Sequence, residues 1–164
     1  MDNSEEEKRC TSITRPPNMF IIRAGDGINF ENSRHPIWGV KNIHKGMVKN
    51  IKKGDIIAFL QSKNYGGRIL GFAEFVKWDN RICEPLLSIN TYSNEEMGWE
   101  GNEDWNIQIH YKNLYISKKV NIQVIIQCGA TILNYKTFKD KNQDLPDLYH
   151  HYNNLKIYAE TKKF

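Results

Sequence analysis

The chain has 164 residues, 23 Lys and Arg against 19 Asp and Glu, and a formal net charge of +4. That length suits one domain, and an apolar share of 40% with 12% aromatic residues is enough to drive folding. A mean hydropathy of -0.63, with no apolar run near 18 residues, excludes a helical membrane span.

Residues 1 to 17 read as a charged tail, because they are polar and end in the extended dipeptide Pro16-Pro17, and the domain is expected over 18–164. Met19 to Ile22 is an apolar run of strand length, leading into Gly25-Asp26-Gly27. Ile28 to Ser33 is expected as a helical turn, Ile37 to Val40 as a strand, and His44 to Asn50 as a second helical turn before the Lys53-Gly54-Asp55 turn. Ile56 to Leu60 and Ile69 to Trp78 are the clearest strands, and the glycines of the 62–67 connection make them an antiparallel pair. Arg81 to Asp104 lacks periodicity and reads as a long loop, with a short turn at Asn94 to Met97. Ile107, Ile109 and Tyr111 alternate with polar residues over a half-buried strand, and Val120 to Ile126 and Gly129 to Leu133 are expected to add further strand. Asp144-Leu145-Pro146-Asp147 is a helix start, followed by Leu148, Tyr149, Tyr152 and Leu155 at helical spacing. About six strands with few helices predict an α+β fold, a small barrel-like sheet flanked by helices.

Charge is unevenly placed. Lys8 to Arg81 holds 14 Lys and Arg against 5 Asp and Glu, whereas Glu84 to the end holds 9 against 10. Basic charge gathered in one half suits a phosphate-facing surface, since nucleic-acid affinity rests largely on displaced counterions, and it suits a solvated lysine-rich face equally well. The acidic opening MDNSEEEK has no signal-peptide regions, and Cys10, Cys83 and Cys128 are odd in number with no CxxC pair. An intracellular protein, cytoplasmic or nuclear, is therefore expected, with no disulfide framework and no cysteine zinc site.

Signatures for nucleotide hydrolysis, hydride transfer, serine hydrolysis and zinc deamination are missing. His150 and His151 are adjacent, about 100° apart on a helix, which is poor geometry for two metal ligands. Glu95, Glu96, Glu100, Glu103 and Asp104 have no interleaved histidine or base to tune their protonation. An enzyme using those carboxylates on a nucleotide or nucleic acid is the alternative from another class, and a protein-interaction domain is a third reading. What remains is aromatic: Trp38, Trp78, Trp99 and Trp105, with Tyr65 and Tyr92. Flat aromatic walls suit a base taken out of its stack, and Trp99, in a Gly- and Glu-rich loop, suits stacking. The base edge then needs polar readers, for which Asn29, Asn42 and Ser62 are candidates.

Phe20-Ile21-Ile22-Arg23, Ile37-Trp38-Gly39-Val40-Lys41-Asn42, the run Lys53 to Leu60, and the run Ile69 to Phe75 together resemble the EVE domain and its relative the YTH domain, of the PUA-like superfamily. The resemblance covers residues 19 to about 127 and implies a PUA-like twisted β-barrel with a pocket for one nucleobase. It makes Trp38 the first wall of an aromatic cage, Trp99 a second wall, Asn29 the reader of the base edge, and Lys41 a phosphate contact. Gly39 stands where YTH domains usually carry Ser, Ala or Cys, and it matches the WGV of EVE domains. The expected function is thus a non-enzymatic, cofactor-free and metal-free RNA- or DNA-binding module. It reads N6-methyladenine in RNA, or another modified base, between Trp38 and Trp99. Asn29 and backbone groups near Gly39 contact the base edge, Lys41, Lys45 and Lys63 hold phosphates, and the protein is a monomer.

Overall fold

The computed structural model describes residues 16–81, 91–117, 122–126 and 129–164. Most of the charged tail, together with Cys10, Cys83, Cys128 and Lys119 to Asn121, lies outside the described residues. Six strands form one mixed sheet in the order β2-β5-β4-β3-β1-β6: β1 Met19–Arg23, β2 Ile37–Val40, β3 Ile56–Leu60, β4 Ile69–Asn80, β5 Ile107–Ile116 and β6 Ile132–Asn134. β1 runs parallel to β3 with Met19 opposite Ile56, and every other pairing is antiparallel. Five α-helices accompany the sheet among the described residues: α1 Ile28–Asn32, α2 Lys45–Val48, α3 Asn94–Met97, α4 Tyr135–Lys141 and α5 Leu148–Tyr158. None of them is long and apolar enough to cross a membrane.

The central strands are apolar on both faces because both faces are covered. Phe20 and Ile22 of β1 and Ile57 and Phe59 of β3 enter one core, while Met19, Ile21, Ile56, Ala58 and Leu60 enter a second that Tyr135, Leu148 and Tyr152 close from α4 and α5. This is why these segments read as unbroken apolar runs rather than as alternation. The sheet curls into a half-barrel. Trp38 on β2 meets Phe59 on β3 with ring centroids 6.3 Å apart, although β5 and β4 lie between them. In a flat sheet three strand spacings would hold the two backbones about 14 Å apart.

Two points depart from the sequence reading. Residues 122–126 form no strand, and Gln123 makes only an isolated bridge to Arg68. The short turn expected at Asn94 to Met97 is α3, which Ser93 caps in a reciprocal box with Glu96, and Met97 is wholly buried. α4 was not expected at all; Asn134 caps it by accepting from the Thr137 N–H at 3.2 Å.

Candidate functional site

β2 lies at one end of the sheet, and Trp99 and Trp105 from the 91–105 stretch pack against its Gly39. Gln108 on β5, fully buried, accepts from the Tyr92 N–H at 2.8 Å and donates to the Tyr92 carbonyl at 2.7 Å, so one amide side chain holds the incoming chain as a strand partner would. Tyr92 stacks on His35, with centroids 4.0 Å apart and planes 13° apart. α3 then turns the chain inward and delivers Trp99.

Trp38 and Trp99 meet directly. Their centroids are 5.6 Å apart at 69°, and they are 8% and 6% exposed. This is edge-to-face packing, and the two rings as they stand leave no parallel slot, which for a flat base needs about 7 Å between walls. Phe30 of α1 and Phe59 complete the cluster around Trp38. The Trp99 indole N–H donates to Ser33 Oγ at 2.8 Å, and that hydroxyl in turn donates to the Asn29 carbonyl at 2.8 Å. Ser33, 3% exposed, is a residue the sequence reading missed, because a serine in a polar run carries no signal of its own.

Gly39 has a steric reason to be glycine. A Cβ there would lie 2.4 Å from Trp105 Cβ and 3.0 Å from Trp99 Cζ3, and the first of these atoms is fixed to the backbone. Trp99 and Trp105 therefore converge on the Trp38-Gly39 dipeptide.

Asn29 belongs to the same cluster but is already engaged: its Oδ1 accepts from the Glu100 N–H at 2.9 Å and its Nδ2 donates to the Glu100 carbonyl at 3.3 Å, pinning the loop after Trp99 to α1. Lys41 pairs with Glu103 at 2.9 Å, both about half exposed, an interaction worth about 0–1 kcal/mol. Lys45 opens α2 within residues 41–53, which hold five lysines and no acid. Next to them the His44 imidazole titrates below its ordinary range, through burial first and then the Lys41 charge. Asn42 Oδ1 accepts from the Asn80 side-chain amide at 3.5 Å.

The strand register separates the remaining candidates. Val40 aligns through Ile107 with Asn80, so Lys41 and Asn42 stand at that end of β4, whereas Ser62 and Lys63 precede Ile69 at the other end. Ser62 donates its N–H to the Gly25 carbonyl at 2.8 Å. The loop acids face solvent: Glu95, Glu96, Glu100, Glu103 and Asp104 are all exposed, and capping bonds from Ser93 hold the Glu96 carboxyl below its usual range. A cavity of about 1150 Å³ lies apart from Trp38 and Trp99, between α1, the Leu70 end of β4 and α5, and it shares only Phe30 with the aromatic cluster.

No family model matches the sequence, and no curated protein matches it. Among solved structures the chain is similar to a hypothetical protein from Leishmania major. Identity is 13%, over 90% of this chain and 88% of that one, with a TM-score of 0.36, too low to bear on function.

Proposed function

We propose that this chain is a non-enzymatic reader of a modified nucleobase in RNA or DNA, built on a PUA-like scaffold of the EVE and YTH kind. The observation that carries the reading is the meeting of Asn29, Trp38, Gly39 and Trp99, scattered over some 70 positions of sequence, in one cluster at the sheet edge. The lysine run 41–53 continues directly from β2 and supplies charge for the flanking phosphates. Binding needs rearrangement, since the indoles touch; either ring must shift, or the base must approach from beside them.

Trp38→Ala is a poor test because it empties a packed core, so Trp38→Phe is the better variant. Single-stranded RNA and DNA oligonucleotides carrying one N6-methyladenine, or plain adenine, are titrated against both proteins. The methylated oligonucleotide is expected to bind the wild type at least tenfold tighter, and Trp38→Phe to lose most of that difference. Equal affinity for all of them in both proteins overturns the reading. The closed, nearly buried Trp38–Trp99 pair favours one second reading, a protein-interaction domain on the same scaffold; it predicts no oligonucleotide binding at any salt concentration.

A further inference from the structure

β2 covers the edge of β5 only from Ile107 to His110. Beyond it, the segment after α5 takes over the same edge: Thr161 bridges Tyr115, and the Lys162 N–H donates to the Leu114 carbonyl at 2.8 Å. Lys162 Nζ then reaches to the end of α1, donating to the Glu31 and Ser33 carbonyls at 3.3 Å each. It also lies 4.6 Å from the centroid of the Phe164 ring. Phe164 packs edge-on against Tyr111, with centroids 6.1 Å apart at 64°, and remains 47% exposed.

Tyr111 is tied to the aromatic cluster. It is two residues along β5 from Ile109, the cross-strand partner of Trp38, so the two are diagonal neighbours on the concave face, and both pack on Phe59. Its hydroxyl is enclosed, the residue being 2% exposed, yet it bonds to nothing among the described residues. A buried hydroxyl without a partner is costly, and such groups mark places where something else supplies the bond. The Phe164 ring cannot supply it, having no polar edge. A flat ring packed edge-on against a tyrosine and half exposed, with an ammonium beside it, next to a tyrosine whose buried hydroxyl is unbonded among the described residues, has the shape of a site filled by a surrogate.

We propose that Phe164 stands in for the ligand: a nucleobase displaces it, lies against Tyr111 beside Trp38, and bonds its edge to Tyr111 Oη, while Lys162 turns to the attached phosphate. The proposal rests on the base-reading function above. It adds Tyr111 and Lys162 to the site and makes the segment from Ala159 to Phe164 a competitor for it. Ala159, Glu160 and Lys162 of the same segment also wall the 1150 Å³ cavity, which Arg68 lines 3.9 Å from Glu31.

The test uses the full chain, with Phe164→Ala and Tyr111→Phe, each checked for folding by thermal unfolding. The probes are adenosine 5′-monophosphate, its N6-methyl form, and a short RNA carrying one N6-methyladenine. Phe164→Ala is expected to bind the RNA about three- to tenfold tighter, by removing the competitor. Tyr111→Phe is expected to bind it about three- to tenfold weaker, for the lost bond. In the wild type, saturating RNA is expected to speed amide exchange at Lys162, whose N–H is bonded to the Leu114 carbonyl, as the segment leaves β5. Unchanged exchange there, or weaker binding by Phe164→Ala, overturns the proposal. If Trp38→Phe loses binding while the Phe164 and Tyr111 variants match the wild type, this inference falls and the base-reading function stands. If no probe binds the wild type or Phe164→Ala, both fall.

Discussion

Replacing Tyr111 by Phe is expected to stabilise the unliganded protein. The ring keeps its contacts with Phe59 and Phe164 and only the hydroxyl is deleted. That hydroxyl is shielded from water and unbonded among the described residues, a state that costs about 1–3 kcal/mol. Against the gain stands the loss of a few oxygen contacts at about 0.1–0.2 kcal/mol each. The net expectation is about 1 kcal/mol of added stability, or a rise in Tm of about 2–4 °C for a chain of this size. Thermal unfolding at neutral pH measures it, with urea denaturation as an independent check. A loss of 1 kcal/mol or more refutes the reasoning, because it means that the hydroxyl is bonded in the native protein. If the hydroxyl serves a base, saturating methylated RNA reverses the sign, since the wild type then gains more from binding than the variant does.

Gly39→Ala is expected to cost about 2–3 kcal/mol, because its methyl would sit 2.4 Å from Trp105 Cβ and the strand must shift to admit it; unfolding in urea reads the loss. Glu103→Gln releases Lys41 from its ion pair, so oligonucleotide affinity at low salt is expected to rise with stability nearly unchanged, as a salt-dependent titration reports. Burial raises Tyr111 well beyond its ordinary range and pushes Tyr152 up to about 12, with Tyr135 and Tyr149 raised in the same direction and for the same first cause. A raised folded-state value means stability fully present below the unfolded value near 10 and lost above it. Stability is therefore expected to stay level to about pH 9 and to fall from about pH 10 towards 12 and beyond, by at most about 1.4 kcal/mol per pH unit for each tyrosine. Denaturant unfolding at pH 9, 10 and 11, followed with tyrosinate absorbance, checks it.

Strands such as Ile37–Val40 and Ile56–Leu60 were legible because they are short apolar runs bounded by turn residues, and burial on both faces is what such runs imply. Legibility failed where local pattern and tertiary environment part. β5 continues to Ile116 through Lys112 and Asn113, where a positive φ of 52° and a register shift break the alternation that marks its first half. The Ser93 and Glu96 capping pair was present in the sequence but hidden in a stretch that reads as polar loop, and α4 begins on an asparagine cap with too little apolar spacing to announce itself. At the site, the aromatic residues were visible and their arrangement was not. That Trp99 would reach Ser33, that Asn29 would hold Glu100, and that Phe164 would cover Tyr111 all depend on contacts between residues 53 to 71 positions apart.

If the protein reads a base as proposed, the route of access is decided by comparing the two rings that could give way. Turning Trp99 outward exposes a buried indole of about 150–250 Å², at about 25 cal/mol per Å² a cost near 4–6 kcal/mol, and breaks its bond to Ser33, worth about 1 kcal/mol more. Phe164 is already half in water, so lifting it exposes about half as much surface and costs nearer 2 kcal/mol. A difference of about 3 kcal/mol is more than a hundredfold in population, which makes the opening at Phe164 the one a ligand meets. The Trp99 indole N–H resonance, held by Ser33, is therefore expected to stay in place as methylated RNA is added, while the Phe164 ring signals move. Loss of that indole resonance with Phe164 unmoved means that the ligand parts the two tryptophans instead, and that the interior of the half-barrel opens at its more tightly packed side.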